Sequence, residues 1–250
     1  MNGQETEALI LQTQDVGESD RLVIFHALSG GKLRGLAKGA RRSRRRFVHA
    51  LEPCSLVRLN YREKRSMIWI EACKLIEPHL GLREDVGRWS CGALMSEIIL
   101  DLAPEGETHE ELFVLLRRAM WEVAEERFPL NSVLLFVLRF MDRMGYMPLL
   151  TQCGMCGRKL GEDKRWGWDP ARGVLVCSDH LRGEDGLLSV DLGTLRLVER
   201  VGSLPLDAIW RLRFAAARRM SLLRSLLAWV SHHTGKGIAA MRVMEQIRWN

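Results

Sequence analysis

The hydrophobic period of this 250-residue chain changes once, near Pro78, and that change constrains the fold more than any single motif. Upstream, the apolar runs Ala8–Leu11, Arg21–Phe25, Lys32–Lys38, Ser55–Tyr61 and Met67–Ala72 are each too short for a helix, and turn signals separate them. Gly30-Gly31 permits a sharp reversal, and Arg62–Arg65 makes a charged turn. Five short strands joined this way predict a small β-barrel. Alternation along the last strand sends Trp69 into the barrel core, with stacking on bases as the other use for Trp69 and Tyr61. Downstream, Trp89, Leu94, Ile98 and Leu102 mark a helical face that Ala103-Pro104 ends. Further helices are expected over Glu110–Arg127 and over Leu130–Met144, the latter stopped by Gly145 and Pro148. Helices resume near Asp191, continue across Ala208–Val230, and close with Ile238–Ile247. The reading is an α+β chain, with a barrel over 1–80 and a helical domain over 81–250. Residues 150–182, rich in cysteine, glycine and tryptophan, interrupt the helical domain.

That interruption carries the sharpest local signal. Cys153 and Cys156 flank two residues, and so do Cys177 and His180. A two-residue spacer lets both side chains reach one tetrahedral ion, and glycines beside the first pair allow the tight turn. The segment between the pairs, with Trp166, Trp168 and Gly173, reads as a hairpin that brings them together. Cys153, Cys156, Cys177 and His180 would form a closed, structural Zn2+ site with no position left for a reacting water. Asp179 is the alternative fourth ligand. Cys54, Cys73 and Cys91 are solitary and read as small buried hydrophobes.

Charge separates the two parts. Residues 1–80 hold fourteen Lys/Arg against nine Asp/Glu, which is most of the chain's net +6. No acid lies between Asp20 and Glu52, a window containing Arg34, Lys38, Arg41, Arg42, Arg44, Arg45 and Arg46. Such a cluster cannot be buried, because each guanidinium needs a partner and no neighbour in sequence supplies one. Phosphate suits it, since arginine offers a planar fork to its oxygens. Arg58, Arg62, Lys64 and Arg65 form a second basic group, and Arg211, Arg213, Arg218, Arg219 and Arg224 a stripe on a late helix. The stripe suits phosphate, an acidic protein tail, or plain solvation, and the pair Arg117 and Arg118 is the other candidate for an acidic tail.

Several classes lack their signature. Lys32 and Lys236 each follow glycine, but neither is followed by Ser or Thr, so no phosphate-binding P-loop is present. His232-His233 are adjacent and point to different faces of a helix, and no serine or cysteine sits in a recognisable nucleophile setting. The polar Met1–Thr6 start is not a secretory signal, and no apolar run nears the ~20 residues of a membrane span, so a soluble cytoplasmic protein is expected. These residues point to a binding factor, not to an enzyme.

The stretches Gly17–Leu22, Gly31–Arg42 and Leu51-Glu52-Pro53, with Glu7–Leu11 before them, resemble the RecO family of bacterial DNA repair and recombination mediators. Glu18-Ser19-Asp20-Arg21 and Ala37–Arg41 are the most specific pieces, and the order of barrel, helices, zinc segment and final helices fits along the whole chain. The resemblance implies an N-terminal OB-fold that binds single- and double-stranded DNA, annealing of complementary strands, and help in loading RecA. It implies RecR and the acidic tail of single-stranded DNA-binding protein as partners, and a nucleoid-associated location. Four cysteines are the commoner ligand set in that family, so His180 is a departure. An RNA-binding or transcription-associated zinc protein using the same basic loop is the competing reading, followed by an unrecognised nuclease and a protein scaffold.

Overall fold

Alternation along the first strand decides how the barrel closes. In the computed structural model, residues 3–65, 67–125, 128–161, 165–181 and 187–249 are described. The expected helix end at Arg127 and the end of the insert at residue 182 lie outside them. The first five strands are β1 (Gln4–Val16), β2 (Asp20–Ala27), β3 (Gly31–Ala37), β4 (Leu56–Lys64) and β5 (Met67–Glu77). The long β1 pairs with β2 from Ala8 to Val16 and with β4 from Gln4 to Leu9, bending at an irregularity between Ile10 and Gln12. β3 and β5 run parallel, so the strands close in the order 1-2-3-5-4, a five-stranded Greek-key barrel of the OB type. Ala8, Ile10, Val23, Phe25, Val57 and Leu59 are fully buried inside it. Gly35 stands where β3 meets β5: a Cβ there would lie 2.9 Å from Ile70 Cγ1 and 3.0 Å from Ile68 Cγ2.

The same alternation corrects one expectation. Ile68 and Ile70 pack into the barrel core, so Trp69 between them faces outward and is half-buried, not interior. Tyr61 goes the other way. It is 6% exposed, and its ring meets Phe25 edge-on at 6.4 Å, so it is a core residue.

The chain forms two compact units, 1–129 and 130–250. The first holds the barrel with helices α1 (Val86–Leu102) and α2 (Glu110–Glu125). Asp85 caps α1 by accepting the Arg88 N–H at 2.8 Å. Small buried residues, Ser90, Cys91, Gly92 and Ser96, let α1 be enclosed on more than one side. Lys32, one of the basic residues of β3, is buried and donates to the Leu100 carbonyl at the C-terminal end of α1, where a cation is favoured. The thiols of Cys54 and Cys73 are pushed up by burial, to about 11 and about 12, and Cys91 is pushed up too, so none of the three is a nucleophile at neutral pH.

His26 is enclosed in this unit and stacks on Phe113 with ring centroids 6.3 Å apart. Burial, with His109 and Lys32 nearby, lowers its pKa to about 4. The unfolded imidazole titrates near 6.5, so the unfolded chain binds the extra proton first as pH falls. Stability is therefore full above about pH 6.5 and declines toward pH 4. Burial lowers His79 as well, which acts in the same direction. Denaturant unfolding at pH 7 and pH 5 should differ by about 2 kcal/mol through His26 alone. His26→Gln should remove that part of the difference, and an unchanged pH dependence in the variant would assign it elsewhere.

The second unit begins with α3 (Pro129–Arg143) and continues through strands β6 (Leu149–Cys153), β7 (Arg165–Asp169), β8 (Val174–Cys177) and β9 (Leu188–Asp191). These form a four-stranded sheet in the order 6-8-7-9. Helices α4 (Leu192–Ser203), α5 (Leu206–Ile209), α6 (Ala216–Thr234) and α7 (Ala239–Met244) follow. Asp191 caps α4 through the Thr194 N–H at 2.8 Å. The single helix expected over Ala208–Val230 is broken between Trp210 and Ala215. Asn131 of α3 explains the break. Its amide donates to the Leu212 carbonyl at 3.0 Å, and its oxygen accepts the Phe214 N–H at 2.9 Å, replacing helical backbone bonds. Arg139 is buried and donates to the Gly202 and Leu204 carbonyls at the end of α4. Among the described residues no helix is long and apolar enough to cross a membrane.

Candidate metal centre and nucleic-acid interface

The β7–β8 hairpin is what joins the two halves of the metal motif. Trp166 pairs with Cys177 and Trp168 with Leu175, and both indoles are buried. Gly173 turns the hairpin at φ +65°, where a Cβ would collide with the Trp229 ring 2.4 Å away. Cys153 ends β6, Cys156 lies in the turn after it, Cys177 ends β8, and His180 sits in a 3-10 turn over Ser178–His180. One ligand atom from each lies within 4.8 Å of every other.

The spacing fits a small tetrahedral ion. Thiolates bound to zinc at about 2.3 Å stand about 3.8 Å apart along a tetrahedral edge. Cys156 Sγ and Cys177 Sγ are 3.7 Å apart, and Cys177 Sγ is 3.2 Å from His180 Nδ1. Cys153 Sγ accepts the backbone N–H groups of Met155 and Cys177, each at 3.4 Å. Burial pushes the Cys153 thiol up, but these N–H donors outweigh it and bring the pKa down to about 6. These donors favour the thiolate form that a metal ligand needs. Burial and the neighbouring thiols raise Cys177, which loses its proton after Cys153. Asp179 does not join the cluster: its carboxylate accepts from Arg158 at 2.6 Å.

The basic residues separate into three groups. Arg34 and Lys38 are exposed along the outside of β3 and its end, while Lys64 and Arg65 are exposed in the turn between β4 and β5. Trp69 lies with them, and Lys38 Nζ sits 5.6 Å from its ring centroid. The second group is the loop after β3. Here the structure overturns the expectation that no acid reaches the arginines. Arg41 pairs with Asp15 at 3.2 Å and Arg42 with Glu18 at 3.1 Å, both from the β1–β2 hairpin. Arg46 is held by the Lys38 and Glu71 carbonyls at 2.8 and 3.4 Å. Arg44 and Arg45 are exposed and have no ion-pair partner among the described residues. Arg58 stands apart, on β4 beside Glu5 and Glu7 of β1 at 3.8 and 3.6 Å. Arg117 of α2 reaches the same Glu7 at 3.2 Å.

The arginine stripe expected on a late helix dissolves. Arg211 and Arg213 precede α6 in the broken segment. Arg213 donates to the Trp210 and Leu212 carbonyls, Arg218 to Ser189, and the buried Arg219 to Phe214 at 2.9 Å. Arg224 pairs with Glu245 at 2.7 Å. Four of the five serve the fold of the second unit. Sequence spacing alone does not separate such structural arginines from an open basic face, because the partners of Arg213, Arg218 and Arg219 are backbone carbonyls.

The family model for Recombination protein O N terminal matches residues 1–79, and that for Recombination protein O C terminal matches residues 83–242. The chain is 48% identical over 246 residues to the DNA repair protein RecO of Syntrophobacter fumaroxidans, covering 98% of each chain. It is 30% identical over 251 residues to that of Myxococcus xanthus, covering 99% of each. It is also 30% identical over 249 residues to that of Anaeromyxobacter dehalogenans, covering 99% of this chain and 98% of the other.

Proposed function

This chain belongs to the RecO family of DNA repair proteins, and from that premise we propose that it is a nucleotide-independent recombination mediator that binds DNA through phosphate. It binds single- and double-stranded DNA, anneals complementary strands, and with RecR helps load RecA onto DNA coated by single-stranded DNA-binding protein. It works by binding and assembly, without covalent chemistry of its own, in the cytoplasm at the nucleoid. Residues 1–80 form the nucleic-acid-binding domain and 81–250 the helical domain; the two family models, meeting between residues 79 and 83, support that division, while α1 and α2 of the second domain pack into one compact unit with the barrel.

The observation that carries this reading is the exposed cation set on one small barrel: Arg34, Lys38, Lys64 and Arg65, with Arg44 and Arg45 in the adjoining loop. Cations without internal ion partners are free to replace the counterions that phosphates hold. Neutralising two strands at once lowers their repulsion, which favours annealing. Arg41, Arg42, Arg46 and Arg58 add to the field but start from internal partners, so each contributes less. The tail of single-stranded DNA-binding protein docks on the helical domain, where Arg117 and Arg118 of α2 are exposed but start from ion pairs with Glu7 at 3.2 Å and Glu122 at 2.6 Å that the tail's carboxylates would replace. The four-residue cluster holds one Zn2+, which when bound cross-links the ends of β6 and β8 and supplies folding free energy.

The loop gives the direct test. Binding of a labelled oligonucleotide is measured across salt concentrations for the double variant Arg44→Ala, Arg45→Ala. On single strands each lost phosphate contact removes about 0.7 from the log–log slope, so the slope should fall by about 1.4 with no change in melting temperature. Arg46→Ala should instead lower the melting temperature, because Arg46 ties the loop to β3 and β5. An unchanged slope in the double variant would remove the loop from the interface.

A further inference from the structure

Trp69 is the one large aromatic side chain that β5 turns to the outside of the barrel, and its neighbours are not those of a core residue. Register places it across from Leu36 on β3 and Arg62 on β4, with Leu22 of β2 next beyond Leu36. Leu36 and Leu22 are half-buried, and Met67, which precedes Trp69 on the same face, is 48% exposed. A cleft of about 690 Å³ is lined by Lys64, Arg65, Met67 and Trp69. A second, of about 1010 Å³, takes in Arg34, Leu36 and Met67, so Met67 links the two. Acids are few on this strip. Glu63 and Glu105 line the second cleft, away from Trp69, and Glu71 is paired with Arg62 at 2.9 Å.

We propose that Trp69, flanked by Leu36 and Met67, is a stacking platform for an unpaired base of single-stranded DNA. The strand's phosphates would lie against Lys38, Lys64 and Arg65. A nucleobase matches what the site offers: an aromatic face to cover an indole, on a backbone whose charge meets the surrounding cations. Bases inside a duplex are already stacked on each other and cannot use the platform. Trp69 therefore gives the barrel a preference for single strands that phosphate contacts alone lack. The preference accounts for how a phosphate-binding surface would engage separated strands before they anneal. Lys38 serves both terms, since it lies over the indole and stays exposed.

This platform rests on the DNA-binding reading, and the experiment separates the two. The full chain is titrated with a fifteen-nucleotide oligothymidylate and with an abasic strand of the same length and charge. The same titrations are run on Trp69→Ala and Trp69→Phe, with melting temperatures as a check on folding. The expected result is tighter binding of the base-bearing strand by the wild type, about tenfold. Trp69→Ala should lose that preference while keeping its affinity for the abasic strand and its salt slope, and Trp69→Phe should recover most of it. Equal binding of both strands by the wild type, or an equal loss for both strands in Trp69→Ala, overturns the platform and leaves the phosphate interface standing. Binding of neither strand at low salt overturns the DNA-binding reading, and the platform with it.

Discussion

Removing the metal from the Cys153, Cys156, Cys177 and His180 cluster will unfold the sheet built on it. That sheet has only four short strands, and β6 is joined to β8 by just two register pairs, Leu149 with Val174 and Cys153 with Leu175. Structural zinc supplies an apparent ~10–16 kcal/mol to small metal-folded domains, far more than so short a sheet gains from hydrogen bonds. Trp166 and Trp168 report the event, because both are buried beside the cluster. Chelation at neutral pH should release one zinc per chain and shift tryptophan emission to the red. Cys177→Ser should be purified without zinc and already shifted. Lower pH should favour release, since protons compete with the metal for its thiolate ligands. Unchanged emission after complete chelation would show that the sheet folds without the ion.

The second large effect concerns the barrel. Replacing Arg34, Lys38, Lys64 and Arg65 together by alanine should reduce the salt slope for single strands by about 3. At a tenth molar salt that amounts to roughly two to three orders of magnitude in affinity. Stability should change little, because all four side chains are exposed and none caps an element or fills the core. A quadruple variant that keeps the wild-type slope would place the DNA on another surface.

The sequence made much of this legible, for identifiable reasons. Short apolar runs separated by glycine and charged turns yielded all five barrel strands, because strand period and turn chemistry are local properties. The paired two-residue spacings yielded the Cys153, Cys156, Cys177 and His180 cluster, which could hold a metal ion, and β7 and β8 between them pair as the expected hairpin. Trp69 was harder. In Met67–Ala72 one face is wholly apolar, Ile68, Ile70 and Ala72, while the other carries Glu71 beside Met67 and Trp69. That single charge marks the outer face, but the large apolar area of the indole pulls the reading the other way. The acids that reach Arg41 and Arg42 come from a hairpin more than twenty residues earlier, a distance at which charge counting in a window is blind. The break before α6 is hidden for the same reason. Trp210–Ala215 contains nothing that breaks a helix, and its conformation depends on one asparagine about eighty residues away. The arginines around that break look like an open stripe in sequence because their carbonyl partners leave no trace in composition.

The most direct test of the whole account is the rate at which two complementary oligonucleotides anneal when each is coated with single-stranded DNA-binding protein. The full, metal-loaded chain should accelerate annealing with no nucleotide present, and the Arg34, Lys38, Lys64, Arg65 quadruple alanine variant should not. An uncatalysed rate in the presence of folded wild-type protein would contradict the mediator reading.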